Sequence, residues 1–116
     1  MITRKLNIVF YRSDLGNEPV RNWLRMLIKE DKKTLGEDIK TIQYGWPLGM
    51  PLVRSLGDDL WEIRSTLKNK RIARIIFFMY QSSMLLLHGF IKKSQKTLNS
   101  DIDLARYRKR KIVKGY

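Results

Sequence analysis

Residues 60–91 read LWEIRSTLKNKRIARIIFFMYQSSMLLLHGFI, and their apolar pattern gives the clearest indication of the fold. It contains three largely apolar runs, Leu60–Leu67, Arg71–Tyr80 and Met84–Ile91, which are separated by the polar triplets Lys-Asn-Lys and Gln-Ser-Ser. β-Branched and aromatic residues favour strands, whereas Asn and Ser favour tight turns. Three strands joined by two short turns predict an antiparallel β-meander.

The segments around the meander predict three helices and two further strands. These elements are a strand at Leu6–Tyr11, a helix that Glu18-Pro19 opens and whose apolar stripe runs to Ile28, a helix from Lys32 to about Tyr44, a short strand at Leu52–Leu56 and a helix from about Asn99 to Val113. Pro19 suits a first helical turn, and Thr97 can cap the last helix. The order β, α, α, β-meander, α predicts an α+β fold, with residues 1–116 forming a single domain.

Positive charge is concentrated in the second half of the chain. The 116 residues include 24 Lys and Arg against 11 Asp and Glu, which gives a net charge of +13. Residues 1–62 are nearly balanced at +1, residues 63–116 carry +12, and no acid occurs from Ile63 to Ser100. Cations held together repel one another unless a polyanion neutralises them, and RNA or DNA is the usual polyanion. A plain solvated basic surface is the alternative.

The composition excludes several classes of protein. With no Cys and one His, the chain has no disulfide framework, no thiol nucleophile and no pair of catalytic histidines. We expect neither a metal site nor a cofactor. The first residues lack the apolar segment of a signal peptide, and no apolar run approaches a membrane span. These features predict a cytoplasmic protein without a membrane partner.

Three stretches form a linked set that covers most of the chain. They are Leu56–Arg64 (LGDDLWEIR), Arg74–Phe78 (RIIFF) and Leu87–Thr97 (LHGFIKKSQKT), with the helical Ile102–Arg106 behind the last one. In order and spacing, from about residue 4 to residue 110, the set resembles HigB/RelE-type toxins of toxin–antitoxin modules, in particular the phage-derived HigB-like branch of the RelE/ParE superfamily. That branch often has Pro after the Thr that starts the last helix, whereas this chain has Leu98.

The resemblance implies a compact RelE-like fold and an activity. The implied activity is metal-independent endonucleolytic cleavage of mRNA, commonly on the ribosome, and the implied partner is a small helix-turn-helix antitoxin. Such cleavage uses the 2′-OH as nucleophile, so it needs a base, a group that stabilises the phosphorane and an acid. Guanidinium groups suit the second task because they hold phosphate oxygens in pairs.

Arg64 and Arg74 match arginine positions of the family pattern. A turn centred on Asn69 places the two residues opposite each other on neighbouring strands, where like charges repel unless an anion lies between them. One interpretation is a phosphate clamp, which predicts that Arg64→Ala and Arg74→Ala each abolish growth inhibition while leaving the fold intact. The other is that each arginine pairs with a carboxylate, for example Arg64 with Glu62 or Asp59.

His88, Lys92 and Lys93 complete the predicted catalytic set. His88 is either a core histidine or, at a groove, an acid, a base or a stacking group. Alternation puts Lys92 on the face of His88 and Phe90, and Lys93 on the opposite face. One lysine would act in proton transfer, whereas the alternative is a solvated basic strand end.

Further cations are predicted to contact the RNA backbone. The predicted nucleic-acid-binding residues are Lys68, Lys70, Arg71, Lys96, Arg108, Lys109, Arg110 and Lys111. The last four form a run at the end of a helix, where such runs are exposed, and a solvated helix end is the alternative. Trp23 and Trp61 fit core positions, whereas Trp46, in a Pro/Gly loop, could anchor that loop or contact an antitoxin or the ribosome.

Three functions remain open from the sequence. The first is an endoribonuclease toxin. The second is a non-catalytic superfamily member that inhibits by binding, such as a ParE-like gyrase poison, although the KK-x-x-K set argues against that branch. The third is a basic RNA-binding domain.

Overall fold

The computed structural model describes residues 5–92 and 96–115, which form three α-helices and one five-stranded sheet. In chain order the elements are β1 (Asn7–Phe10), α1 (Pro19–Met26), α2 (Lys29–Gly45), β2 (Val53–Gly57), β3 (Leu60–Thr66), β4 (Ile72–Tyr80), β5 (Ser83–Lys92) and α3 (Asn99–Lys114). The predicted α+β class and order of elements are confirmed. None of the helices within these ranges combines the length and the apolarity that crossing a membrane requires.

The sheet is mixed, which corrects the prediction of a simple antiparallel meander. Its strand order is β1-β5-β4-β3-β2, and the four strands β2 to β5 are antiparallel neighbours in chain order. β1 lies parallel to β5, with Asn7 opposite Ser83 and Phe10 opposite Leu86. The meander alone would leave the backbone groups of β5 without ladder partners on that side, and β1 supplies them.

The two faces of the sheet bury different helices. In β4, Ile75 and Phe77 belong to a core with buried residues of α1 and α2, such as Val20 and Leu35. The alternate residues Ile76 and Phe78 pack in a second core with Ala105 of α3. Alternation therefore explains why β4 is almost continuously apolar, since both of its faces are covered.

The ends of the helices differ from those predicted. α1 stops at Met26, and α2 begins at Lys29 rather than Lys32, because Leu27 and Ile28 take extended backbone between them. The predicted apolar stripe therefore breaks, and Ile28 is 60% exposed. α3 begins after Leu98, which provides no side-chain cap. The prediction that Thr97 caps α3 is wrong, since its hydroxyl bonds to side chains of the sheet instead.

Trp46 anchors the loop between α2 and β2. Its ring meets Trp61 edge-on at a centroid distance of 5.1 Å and Phe77 at 5.5 Å. Trp23 and Trp61 are partly buried against the same core, as predicted. The backbone N–H of Arg64 donates to the Leu52 carbonyl at 2.8 Å, so the end of this loop is tied to β3.

Candidate functional site

Arg64 and Arg74 lie directly opposite each other on β3 and β4, in the predicted register. They differ in burial: the Arg64 side chain keeps 10% of its surface exposed, whereas Arg74 has none. The guanidinium of Arg64 therefore reaches the surface, whereas Arg74 is buried opposite it on β4. The prediction that Arg74→Ala leaves the fold intact is revised accordingly, because removing a fully buried arginine leaves a cavity.

Glu62 is the anion that these two arginines share. It is fully buried on β3, two residues before Arg64 and on the same face. Its carboxylate accepts a hydrogen bond from Arg64 Nη1 at 3.0 Å and a short one from the Thr97 hydroxyl. Arg74 Nη1 donates to that hydroxyl at 3.3 Å. The structure thus shows the pairing of Arg64 with Glu62, and we call these four residues the Glu62 cluster.

In the Glu62 cluster, one negative charge compensates two buried or nearly buried positive charges. Burial lowers the pKa of Arg74, and the nearby positive charges of Arg64 and Arg54 lower it further, while the charge of Glu62 acts in the opposite direction. Glu62 is therefore needed to keep two opposed cations in the sheet.

His88 and Lys92 share a second carboxylate, Asp101, in the first turn of α3. His88 Nε2 lies 2.9 Å from Asp101 Oδ1, and Lys92 Nζ donates to Oδ2 at 2.8 Å. Burial alone would raise the pKa of Asp101, but the hydrogen bonds from Lys92 and His88 outweigh it, so the pKa is lowered. His88, with 17% of its side chain exposed, is not a core histidine. We call these three residues the Asp101 cluster.

The two clusters lie on one face of the sheet. Across β4, Phe90 lies opposite Arg74, and Lys92 lies opposite Ile72, so Lys92 shares the face of His88 and Phe90 as predicted. Lys92 Nζ also lies 5.0 Å from the centre of the Phe90 ring. The structure therefore brings Arg64, Arg74, His88 and Lys92 to the same side of the molecule. Lys93, the fifth residue of the predicted catalytic set, falls outside the described residues.

An open cleft of about 460 Å³ adjoins Arg64 at the β3–β4 end of this face. We call it the Arg64 cleft, and its lining residues are Met50, Pro51, Arg64, Thr66, Lys70, Arg71 and Ile72. Three of these side chains are cationic, and none of the described residues that line the cleft is acidic. Its chemistry suits an anionic ligand with an apolar part.

The predicted RNA-contact residues at the β3–β4 turn have different surroundings. Arg71 binds Asp31 of α2 through two hydrogen bonds of 2.8 and 3.1 Å, which fasten the turn to α2 and raise the Arg71 pKa. Lys68 pairs with Glu30 at 2.8 Å. Lys70 is exposed, and its side chain makes no ion pair with the residues that the structure describes. Lys70 is thus the most available cation of the turn.

The run from Arg108 to Lys111 is largely engaged rather than exposed. Arg108 Nη1 donates to the Leu87 carbonyl at 2.8 Å, and burial lowers the Arg108 pKa. Lys109 donates to the backbone carbonyl of Asp58, and Lys111 pairs with Asp14 at 2.9 Å. Of the four, only Arg110 is exposed, so the predicted exposed run is wrong for the other three, which hold α3 to neighbouring segments.

Sequence reasoning missed Thr97 and Asp101 as parts of the site. From the sequence, Asp101 fits the first turn of the last helix, where a negative charge is favourable, and Thr97 fits its cap. The available signal was position: Asp101 is the first acid after the acid-free stretch, so it is the nearest one along the chain for cations of β5. Lys96, also predicted to contact RNA, is exposed between β5 and α3.

Comparison with known proteins identifies the family of the chain. A family model described as phage-derived protein Gp49-like (DUF891) matches residues 22–110, which include both clusters and the Arg64 cleft. The chain matches no curated protein significantly. The matched family is a toxin-like family of toxin–antitoxin modules, which implies an antitoxin partner. The chain therefore belongs to the phage-derived Gp49-like family.

Proposed function

We propose that the protein is the toxin of a type II toxin–antitoxin pair and a metal-independent endoribonuclease that cleaves mRNA on translating ribosomes. The observation that carries this proposal is the shared sheet face: an arginine-lined cleft lies on the same side as a histidine and a lysine that one carboxylate holds. This combination offers phosphate binding and proton transfer side by side.

Arg64 is the proposed phosphate ligand. One of its nitrogens is bound to Glu62, which fixes the guanidinium plane. A planar guanidinium held in this way suits the non-bridging oxygens of a scissile phosphate, which it can bind in pairs. Negative charge grows on those oxygens as the 2′-oxygen attacks phosphorus and the 5′-oxygen leaves. A fixed cation at this position stabilises the phosphorane more than the ground state.

The Asp101 cluster is proposed to move the two protons of the reaction. An ionised Asp101 accepts from His88 Nε2–H, so a neutral imidazole would present Nδ1 as a base for the 2′ proton. Lys92 would donate a proton to the departing 5′-oxygen. The products are then a 2′,3′-cyclic phosphate and a 5′-hydroxyl, and no metal enters these steps.

The proposed partners follow from charge and from the family. RNA would neutralise the +12 half of the chain, and a helix-turn-helix antitoxin would hold the toxin inactive. Both partners imply that the protein acts in the cytoplasm.

A reaction with one defined mRNA tests the proposal. We expect the purified chain, added to ribosomes that translate this mRNA, to produce discrete cuts with cyclic or 3′-phosphate ends. Arg64→Ala and Lys92→Ala should each reduce the cleavage rate by at least 100-fold. Lys40→Ala removes the same charge from an exposed position of α2 and should cleave as the unchanged chain does.

Other outcomes would point to the alternative functions. Intact mRNA combined with blocked DNA supercoiling would indicate a gyrase poison. Salt-sensitive RNA binding without cleavage would indicate a basic RNA-binding domain.

A further inference from the structure

We propose that the Arg64 cleft is a binding site for a single unstacked RNA nucleotide, with its base on an apolar wall and its phosphate on a cationic wall. The inference rests on the proposed function and names the substrate subsite of that site. We name the two walls after the chemistry of the lining side chains: the apolar wall is Met50, Pro51 and Ile72, and the cationic wall is Arg64, Lys70 and Arg71.

The size of the cleft favours one nucleotide over a duplex. At about 460 Å³ it lies in the range of small-ligand sites, roughly 300–1,000 Å³. A double helix presents grooves and backbones rather than a free base, so it could only lie across the opening. Single-stranded RNA can turn one base out of its stack and insert it.

The loop that carries Met50 and Pro51, two residues of the apolar wall, is attached to the sheet at both ends. Trp46 packs against Trp61 and so anchors the start of the loop, and the Leu52 carbonyl binds the backbone N–H of Arg64 at its end. Met50, between these two fixed points, remains 65% exposed. A flexible thioether beside a rigid Pro51 ring gives a base a surface to stack on, because sulfur makes favourable contacts with aromatic rings.

The cationic wall combines constrained and less constrained charges. Arg64 is held by Glu62, and Arg71 is held by Asp31, so both guanidiniums have limited freedom. Lys70 is exposed and forms no ion pair with the residues that the structure describes, so its ammonium group is less constrained than the two guanidiniums. A simple anion would use only the cationic wall, and an apolar ligand would use only the apolar wall. A nucleotide carries both a phosphate and a flat base, so it matches the two walls together.

The side-chain methyl groups of methionine give a direct readout of base stacking. The chain has five methionines, and Met26 on α1, which is 85% exposed, serves as an internal control for Met50. With ¹³C-methyl methionine in the full chain, we would titrate uridine 3′-monophosphate and adenosine 3′-monophosphate. We expect ring currents to move the Met50 signal upfield while the Met26 signal stays in place.

Base-free probes separate the nucleotide site from a simple anion site. Ribose 5-phosphate and inorganic phosphate should leave the Met50 signal nearly unchanged. If they move it as far as the nucleotides do, or if the nucleotides do not move it, the proposal is overturned. A shift of equal size at Met26 would also overturn it, because that result would indicate non-specific association.

Affinity measurements supply the second arm. For a short 2′-O-methyl RNA, which cannot be cleaved, Met50→Ala should weaken binding about tenfold, as loss of one stacked base does. Its dependence on salt should not change. Met26→Ala is the matched control and should bind normally. Equal affinities of the unchanged chain and Met50→Ala would contradict the subsite.

The subsite and the proposed function can fail separately. If nucleotides move the Met50 signal but no RNA is ever cut, the nucleotide site stands and the endoribonuclease proposal falls. If RNA is cut by Met50→Ala at the normal rate and the Met50 signal is silent, the subsite falls and the endoribonuclease proposal stands.

Discussion

At the scale of single residues, the buried carboxylate of Glu62 connects several polar side chains. It contacts Arg64 and Thr97 directly, and it reaches Arg74 through the Thr97 hydroxyl. Three polar side chains, from β3, from β4 and from the segment that precedes α3, therefore depend on one charge. Removing one partner of a buried ion pair costs far more than the pair contributes when intact, because the remaining charges lose their compensation.

Glu62→Gln should destabilise the protein strongly. The amide keeps the shape but not the charge that offsets Arg64 and Arg74, so we expect a loss of about 3 kcal/mol in the free energy of unfolding by urea. Glu18→Gln is the control, since Glu18 forms an exposed pair with Arg21 at 3.5 Å. It should change the same free energy by less than about 0.5 kcal/mol. Similar values for the two variants would show that Glu62 holds no cluster.

Asp101 should make stability depend on pH at the acid end. Its pKa in the folded protein lies below the ordinary value of 3.8, so the ionised form stabilises the fold above that value. This stabilisation is lost as the pH falls through the folded pKa. We therefore expect Asp101→Asn to be less stable than the unchanged chain at pH 7, and the difference to shrink as the pH falls below 3.8.

Urea unfolding at several pH values checks this expectation, with Asp103→Asn as the control. Asp103 is on the same helix, and its side chain is 70% exposed. A difference between Asp101→Asn and the unchanged chain that stays constant down to pH 2 would contradict a lowered pKa.

At the scale of elements, α1 and β5 meet without any space between them. Gly89 lies in β5, where a Cβ atom would come within 2.5 Å of the Trp23 ring of α1. The missing side chain lets the ring lie directly on the strand, so Gly89 sets the distance between helix and sheet.

Gly89→Ala should therefore weaken the packing of α1. We expect a loss of about 1–3 kcal/mol in the free energy of unfolding, the usual cost of forcing an extra methyl group into a packed core. Gly36→Ala adds the same methyl group in α2, where nothing lies within 4 Å of it. There we expect a gain of about 0.5–1 kcal/mol, because Ala suits a helix interior better. Equal effects would mean that Trp23 does not define this contact.

The sequence predicts elements where local patterns suffice and fails where distant segments decide. The turn around Asn69 sets the register of Arg64 and Arg74, because a short turn fixes strand pairing. The parallel partner of β1 could not be predicted, since no local pattern records which edge of a sheet is free. The break between α1 and α2 was predicted a few residues too late in the chain, because Leu27 and Ile28 keep a helical apolar spacing while their backbone is extended.

At the scale of the whole molecule, the net charge overstates the charge that is available to RNA. Arg71, Lys68 and Lys111 are already paired with acids from the first half of the chain. Folding therefore partly balances the uneven distribution of charge along the sequence. Sequence alone could not show this, because the pairs join residues from 38 to 97 positions apart.

Salt dependence should distinguish available cations from paired ones. For the same 2′-O-methyl RNA, Lys70→Ala should lower the slope of log affinity against log salt by about 1. Lys68→Ala should lower it less, because Glu30 already neutralises Lys68 at 2.8 Å. Equal decreases would indicate that bulk charge, rather than the cleft, attracts the RNA.

The sequence alone predicts only part of the site. Arg64, His88 and Lys92 were identified by type, spacing and family resemblance, and folding places them on one face. Glu62 was also identified, as one possible partner of Arg64, and the structure shows that pair. Asp101 and Thr97 were not identified as partners, because they meet the sheet only through tertiary contacts. The acids of a folded site are set by tertiary contacts, which leave no period in the sequence.

The proposed cleavage at this face of the sheet uses the 2′-OH of the RNA itself as the nucleophile. Two RNAs, identical except that one carries a single 2′-deoxy nucleotide at the mapped cut position, test it most directly. The account predicts that the all-ribose RNA is cut there to a cyclic or 3′-phosphate end and that the substituted RNA stays intact at that position alone. Cleavage of both RNAs to a 3′-hydroxyl end, or of neither, would contradict it.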